Sequence, residues 1–352
     1  MSAALALAPN LLVAEPVRIA TWGADLSRDG PGLLLRDIVR DKDEGVDGVA
    51  AVLAELRPDI LLLTDMDWDC DGAALTALAE RLAEDALDYP YRLALAPNAG
   101  LPSGLDLDGN GRLGEARDAQ GYGRFMGEGG MALLSRWPLG EVTDLSGLLW
   151  RDLPGARLPR RDGQPFPSAE AQAAQRLSST GHWIVPVVAP DGVLTVLAWS
   201  GASPVFDGPE DMNGLRNADE LALWRLVLDG VWGPVPPDAV LLGNANLDPV
   251  DSEGLRADMA ALLADARLQD PRPESEGARI ASGAGQAGNP ALDTVDWPEI
   301  DGPGNLRVSY VLPARRWRVT GSGVVWPRPD DPLTPAVEAA GAHRLVWVDL
   351  DR

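Results

Sequence analysis

Short apolar runs recur along this chain at intervals that only large β-sheets can accommodate, and no other feature limits its fold so strongly. The runs are rich in Val, Ile, Leu and Trp, and turn residues such as Gly, Pro, Asp and Asn bound them. Each run is therefore predicted to be a strand. The ten predicted strands cover residues 17–22, 60–64, 91–95, 131–135, 183–188, 194–199, 239–242, 308–312, 317–325 and 345–348.

Helical spacing is less frequent than strand-like spacing. Apolar residues recur at intervals of three and four in segments 48–56, 73–83, 218–228 and 253–268, which predicts four helices among the strands. The predicted fold class is therefore α/β or α+β. A chain of 352 residues, 45% of them hydrophobic, is long enough to bury the core that such sheets need.

Residues 17–352 are predicted to form one domain, because strand patterns resume directly after each long loop. The predicted loops are rich in Gly, Pro, Asp and Arg, and they span 96–130, 154–179 and 270–305. Loops of this length commonly carry function in compact domains.

Residues 1–16 are predicted to be an N-terminal extension. Its apolar stretch ends in small residues but lacks the positive charges of a signal peptide, so both a truncated signal peptide and a misassigned start remain open. The compartment stays open with them: the cytoplasm or, with a truncated start, the periplasm or the exterior.

The charge of the chain bears on its partners. The sequence has 53 acidic residues against 30 basic ones, a formal net charge of -23. A field of that sign repels nucleic acid and anionic membranes, so a nucleic-acid partner is not expected. No apolar run has the length of a membrane-spanning helix.

Eight segments, taken in order, carry a resemblance to one known superfamily. They are residues 18–30 (RIATWGADLSRDG), 58–67 (PDILLLTDMD), 130–138 (GMALLSRWP), 178–183 (SSTGHW), 203–217 (SPVFDGPEDMNGLRN), 242–249 (LGNANLDP), 307–313 (RVSYVLP) and 341–349 (GAHRLVWVD). Together they resemble the endonuclease/exonuclease/phosphatase superfamily over nearly the whole chain. The resemblance implies a four-layered α/β sandwich, in which two mixed β-sheets are flanked by helices.

The resemblance also implies a chemistry. Active members hydrolyse phosphoesters with a divalent cation, so it implies Mg²⁺ or Mn²⁺ as cofactor and a phosphate-containing molecule as ligand. Oxygen ligands suit such cations, and an Asp, an Asn and His residues activate water and stabilise the phosphate.

Most positions that carry this chemistry hold a different residue here. The metal-binding Glu corresponds to Asp65, and the first catalytic His corresponds to Ser200. The Asp that should accept a proton from water is Asn244, while Asn246 is retained. The closing Asp–His pair lacks its Asp but keeps His343.

Three further family positions are also changed. The Asn of the first strand is Gly23, the Asp of the family's RxDY motif is Ser309, and a His in the family's RNHDE segment is Ala218. An amide cannot take a proton from water, and serine cannot carry an imidazolium charge.

Two functional hypotheses follow for these positions. The first is a pseudoenzyme with a binding or scaffolding role, in which His343 and Asn246 survive while Asn244 and Ser200 are degenerate. The second is an active Mg²⁺- or Mn²⁺-dependent phosphodiesterase or phosphatase with a rebuilt site. In that case Asp65 and Asn246 are the metal ligands, with Asp67 or Asp248 as added oxygen ligands.

A separate metal site is suggested by the sequence DLDGNGR at residues 106–112. Asp106, Asp108 and Asn110 place oxygens at alternate positions, as in the first half of a Ca²⁺ loop. The position of the bidentate Glu is Arg117, with Asp118 one residue later. A Ca²⁺ site and a plain Asp/Gly-rich turn therefore both remain open.

Overall fold

The computed structural model describes residues 16–234, 236–283 and 285–352. Thirteen strands occur in it: β1 Val17–Trp22, β2 Ile60–Met66, β3 Tyr91–Leu93, β4 Gly130–Ser135, β5 Thr143–Asp144, β6 Arg160–Arg161, β7 Gln164–Pro165, β8 Gly181–Ala189, β9 Gly192–Ser200, β10 Ala239–Asn244, β11 Ser309–Pro313, β12 Arg318–Val325 and β13 Leu345–Asp351. The N-terminal extension predicted at 1–16 lies, except for its last residue, outside the described residues.

Eight α-helices lie between these strands in the described part of the chain. They are α1 Leu33–Arg40, α2 Glu44–Leu56, α3 Ala73–Glu84, α4 Ala169–Ala174, α5 Met212–Leu228, α6 Arg256–Leu263, α7 Glu276–Ile280 and α8 Thr334–Ala339. No helix among the described residues has the length and apolarity that a bilayer crossing requires.

The strands form two large mixed sheets. The first has the order β12-β13-β1-β2-β4-β3 and the second the order β11-β10-β9-β8-β5, and β6 and β7 form a small ribbon. In the first sheet β1 and β2 are parallel, and in the second β9 and β10 are parallel, while the remaining pairs are antiparallel. The prediction of two mixed sheets is confirmed.

Three apolar cores separate the layers. Alternate residues of β2 divide between two of them: Leu61 and Leu63 pack under α2 and α3, whereas Ile60 and Leu62 face the second sheet. The outer face of the second sheet packs against α5 and α6 through residues such as Trp199 and Trp224. The order helices, sheet, sheet, helices is the four-layered sandwich that the resemblance implies.

The first turn of α3 is capped by a side chain that lies upstream of the helix. The Asp69 carboxylate accepts hydrogen bonds from the backbone N–H groups of Ala73 and Ala74, at 2.8 and 2.9 Å, so it satisfies the free donors of the first turn. The helix predicted over 253–268 is shorter, because α6 covers Arg256–Leu263 only.

Candidate functional site

The apolar core between the two sheets ends in a layer of neutral polar side chains. Along β2, Leu62 faces the second sheet and Thr64 takes the next inward position; along β10, Asn244 follows Leu242 in the same way. The layer is buried. Its members are Thr21, Thr64, Ser200, Asn244 and Ser309, each at most 7% exposed.

Strand register brings the predicted positions together. Asn244 pairs with Ser200 of β9 on one side and with Ser309 of β11 on the other. The Ser200 hydroxyl lies 3.5 Å from the Thr64 carbonyl oxygen, so the ends of the two sheets meet at this point. The structure therefore collects Ser200, Asn244 and the end of β2 into one pocket, called here the strand-end pocket.

The two amides in this pocket are bonded to each other. Asn244 Nδ2 donates to Asn246 Oδ1 at 3.1 Å, and Asn246 Nδ2 donates to the Gly201 carbonyl at 2.8 Å. Asn244 Oδ1 in turn accepts from the Asn246 backbone N–H at 2.9 Å. The two amides hold each other in place, and each nitrogen keeps a second N–H that no described residue accepts.

His343 closes the pocket on the side of the first sheet. The Trp22 indole N–H donates to its backbone carbonyl at 3.0 Å, and the Trp297 ring meets its imidazole edge-on at 5.4 Å. A Cβ at Gly23 would lie 3.4 Å from both His343 Nδ1 and Thr64 Oγ1. Both atoms are buried without a hydrogen-bond partner among the described residues, so they face the space that Gly23 leaves unfilled.

The imidazole of His343 is neutral at physiological pH. Burial and then the nearby Arg344 guanidinium lower its pKa to about 4. Its predicted carboxylate partner is absent because the preceding residue is Ala342, and the Arg344 side chain instead donates to Asp296 at 2.9 Å. His343 therefore lacks both the positive charge and the orienting carboxylate of an active pair.

Asp65 stands at the end of β2 as a partly exposed carboxylate. No described residue donates a hydrogen bond to its side chain. Burial raises its pKa to about 7, and the charges of Asp25, Asp67 and Glu128 add to the rise. Asp65 is therefore an acidic group with little internal compensation, and near neutral pH it is only partly ionised.

The other carboxylates near Asp65 are mostly occupied. Asp67 accepts from the Ser27 hydroxyl at 2.8 Å and from the backbone N–H groups of Arg28 and Gly129 at 2.9 and 3.2 Å. It thereby pins the β1–α1 loop to the start of β4. Glu128 pairs with Arg124 at 2.5 Å.

Asp25 is the exception among these acids. Its exposed carboxylate accepts no hydrogen bond from a described residue, and it lies against Gly341, where a Cβ would approach the Asp25 Cβ to 2.8 Å. Only glycine fits there, since Gly341 also has φ +108. Asp25 also lines an open cleft of about 530 Å³ together with Ser27, Arg28, Asp29, Asp43, Gly45, Arg124 and Ala339.

Helix α5 places buried polar residues beside the pocket. The sequence indicated these residues only as part of a motif. The Glu220 carboxylate accepts from the backbone N–H groups of Ser179 and Ala202, both at 2.6 Å. Asn217 Nδ2 donates to the carbonyls of Ala202 and Ala245, both at 2.7 Å. These bonds fix the segments that follow β9 and β10. The signal that could have found them is the group of four polar residues Arg216, Asn217, Asp219 and Glu220 within a helix that is otherwise largely apolar.

The Asp-rich loop brings together a slightly different set from the predicted one. Asp106 and Asp108 lie with the buried Asp118, and one ligand atom of each falls within 4.8 Å of the others. Asn110 Oδ1 accepts from the Arg112 backbone N–H at 2.8 Å instead. The residue one place beyond the expected twelfth position therefore supplies the third carboxylate.

The strand-end pocket can be compared with this triad as a site for Mg²⁺ or Mn²⁺. Within the described ranges, the triad is the only set of three His, Cys, Asp or Glu side chains with ligand atoms so close together. Asp65 belongs to no such set, and the carboxylate oxygens of Asp67 are hydrogen-bonded elsewhere. Among the described residues, the strand ends therefore hold no comparable set of acidic and imidazole ligands.

Comparison with known proteins agrees with this architecture. The sequence model described as "Endonuclease/Exonuclease/phosphatase family" matches residues 38–341. No curated protein matches the chain.

Solved structures share the fold at low identity. An endonuclease/exonuclease/phosphatase from Beutenbergia cavernae DSM 12333 is 21% identical with a TM-score of 0.56, over 96% of this chain and 72% of that one. Sphingomyelinase C from Streptomyces griseocarneus is 15% identical with a TM-score of 0.52, over 96% and 100% of the two chains. A family protein from Leptotrichia buccalis C-1013-b is 13% identical with a TM-score of 0.51, again over 96% and 100%.

The first prediction concerns the unpartnered hydroxyl of Thr64. Thr64→Val should stabilise the protein by about 1 kcal/mol, because it removes a buried polar atom that has no hydrogen-bond partner. The matched control is Thr294→Val: Thr294 Oγ1 accepts from the N–H groups of Val308 and Ser309 at 2.9 and 3.0 Å, so its loss should destabilise by about 1–3 kcal/mol. Urea unfolding measures both, and equal destabilisation by the two variants contradicts the assignment.

The second prediction concerns the raised pKa of Asp65. Between about pH 4 and pH 7 the folded carboxyl keeps a proton that the unfolded chain releases, so this group lowers stability as the pH rises through that window. Asp65→Asn should therefore be more stable than the wild type at pH 8, by about 2 kcal/mol once partial exposure is allowed for. The gain should vanish near pH 4. Thermal unfolding in EDTA measures it, and a pH-independent difference argues against a titrating Asp65.

Proposed function

Because the chain belongs to the endonuclease/exonuclease/phosphatase family, we propose that it is a member whose catalytic centre is lost and whose fold serves a binding or scaffolding role. The observation that carries this proposal is the composition of the strand-end pocket. Its inward positions are neutral hydroxyl and amide groups, at Thr64, Ser200, Asn244 and Ser309.

Hydrolysis needs a base that takes a proton from water, and the pocket offers none in the right place. The amide of Asn244 cannot accept a proton at useful pH, and its Oδ1 already accepts from the Asn246 N–H. His343 is neutral, but its unpartnered Nδ1 is buried against Gly23 and has no carboxylate to orient the ring. Loss of both groups is expected to cost several orders of magnitude in rate.

The alternative, an active enzyme with a rebuilt metal site, has less support from the geometry. It needs Asp67 or Asp248 beside Asp65 as oxygen ligands. Asp67 is held by Ser27 and two backbone N–H groups, and Asp248 accepts from the backbone N–H groups of Val250, Asp251 and Arg307. Freeing either carboxylate would break a bond that fixes a loop.

Nucleic acid is a poor candidate for the ligand. A chain of net charge -23 repels phosphate backbones, and the two arginines of the cleft, Arg28 and Arg124, are already paired with acids. The proposed role is therefore binding of a molecule other than a polynucleotide.

An activity assay tests the proposal directly. Purified protein with Mg²⁺ or Mn²⁺ should release no p-nitrophenol from bis-p-nitrophenyl phosphate or p-nitrophenyl phosphate above background. Asp65→Asn and His343→Ala, purified identically, are the matched controls, because turnover that they share with the wild type comes from a contaminant. Turnover by the wild type that disappears in either variant would establish the active-enzyme alternative.

A calcium ion is the proposed occupant of the loop at residues 106–118. Hard carboxylate oxygens from Asp106, Asp108 and Asp118 converge there, and backbone oxygens and water would complete the shell. The role would be structural, since the loop joins β3 to β4.

Calcium titration tests this site. If Ca²⁺ binds the folded state alone, 1 mM Ca²⁺ should raise the melting temperature of the wild type, and Asp108→Asn should reduce the rise. Asp71→Asn, an exposed acid elsewhere, should leave the rise unchanged. No shift, or the same shift in both variants, leaves the segment as an Asp/Gly-rich turn.

A further inference from the structure

The strand-end pocket and the adjoining cleft hold two carboxylates that have no hydrogen-bond donor. The carboxylates of Asp25 and Asp65 receive no hydrogen bond from a described residue. A phosphate group is negatively charged, so two unpaired carboxylates disfavour it.

The two arginines of the cleft are already paired with carboxylates of the protein. Arg28 contacts Asp37 at 3.2 Å and Asp43 at 3.1 Å, and one of its nitrogens donates to the carbonyls of Asp25 and Ser27. Arg124 is likewise held by Asp29 at 2.6 Å and Glu128 at 2.5 Å. An anion would have to displace one of these internal carboxylates, whereas a cation would not.

Two buried atoms at the floor of the pocket also favour a bound ligand. Thr64 is 4% exposed, and its Oγ1 and His343 Nδ1 both lack a partner and face the gap at Gly23. Buried polar atoms without partners are rare in folded proteins and ask for a bound group. A neutral imidazole nitrogen and a hydroxyl oxygen can both accept a hydrogen bond from a ligand.

The spacing of the acids separates an organic cation from a metal ion. A metal needs several ligand atoms around one point, and no three acidic or imidazole groups converge near Asp65 among the described residues. An extended cation can instead contact acceptors that are spread along a cleft, and about 530 Å³ is room for one.

We propose that the strand-end pocket and its adjoining cleft bind an organic cation, whose ammonium or guanidinium group is held by Asp25 and Asp65. This inference rests on the proposed function, because an active phosphoesterase would need the same pocket for phosphate. The cation comes either from a free polyamine or from a lysine or arginine side chain of another protein.

Isothermal titration calorimetry with spermidine at physiological salt tests the inference. Spermidine should bind the wild type, and Asp25→Asn and Asp65→Asn should each weaken binding roughly tenfold through the loss of one charge-assisted contact. The matched control is Asp191→Asn, which removes the same charge at the exposed β8–β9 turn, at the opposite end of the strands. Its affinity should stay within about twofold of the wild type.

Further probes separate the outcomes. Tighter binding of a short Lys- and Arg-containing peptide than of spermidine identifies a protein-borne source, and the reverse order identifies a free polyamine. Equal weakening in Asp191→Asn reveals general attraction to an acidic surface and overturns the inference. So does binding of inorganic phosphate or Mg²⁺ with no binding of spermidine.

The binding measurement and the activity assay test the two proposals separately. Absence of both turnover and cation binding refutes this inference alone, whereas turnover that depends on Asp65 refutes the proposed function itself.

Discussion

Everything at the candidate site depends on how the two sheets pack face to face. Their inward side chains form one apolar core, and because β1 and β2 of one sheet end at the same level as β9 and β10 of the other, that core closes in a single layer. Any residue at the last inward position of these strands therefore faces all the others. The fold makes a shared pocket whether or not the residues there can perform chemistry.

The frame around the pocket is polar and buried, which is costly unless each group finds a partner. Glu220 on α5 accepts from the backbone N–H groups of Ser179 and Ala202, and Asn217 Nδ2 donates to the carbonyls of Ala202 and Ala245, although Asn217 Oδ1 has no partner among the described residues. Arg216, 6% exposed, donates to the carbonyls of Gln120, Arg176, Leu177 and Ser178. The polar frame around the pocket is thus held mainly by bonds to the backbone.

Much of the fold was predictable because its signals are local. All ten predicted strands occur, since buried strands need continuous or alternating apolar residues that periodicity detects. Helix α1 was missed, and so were α4, α7 and α8, whose five or six residues carry too little periodicity. The predicted helix at 253–268 was too long for a related reason: apolar spacing continues beyond α6, although the helix itself ends at Leu263.

The site was predictable only in part. Motif order placed Asp65, Ser200, Asn244, Asn246 and His343 at strand ends, and the register brings the strand-end positions together. Sequence could not reveal which oxygens and nitrogens remain free, because that depends on bonds between residues far apart in the chain. Asp67 and Asp65 look alike in the sequence, yet one carboxylate is occupied by three donors and the other by none.

The hydroxyls of the pocket also lower stability. Thr64 and Ser309 have buried hydroxyls without partners among the described residues. Each costs about 1–3 kcal/mol relative to a satisfied group, so apolar side chains would pack there more favourably. The proposed binding role would account for polar atoms that persist at such a cost, because a bound ligand could supply their missing partners.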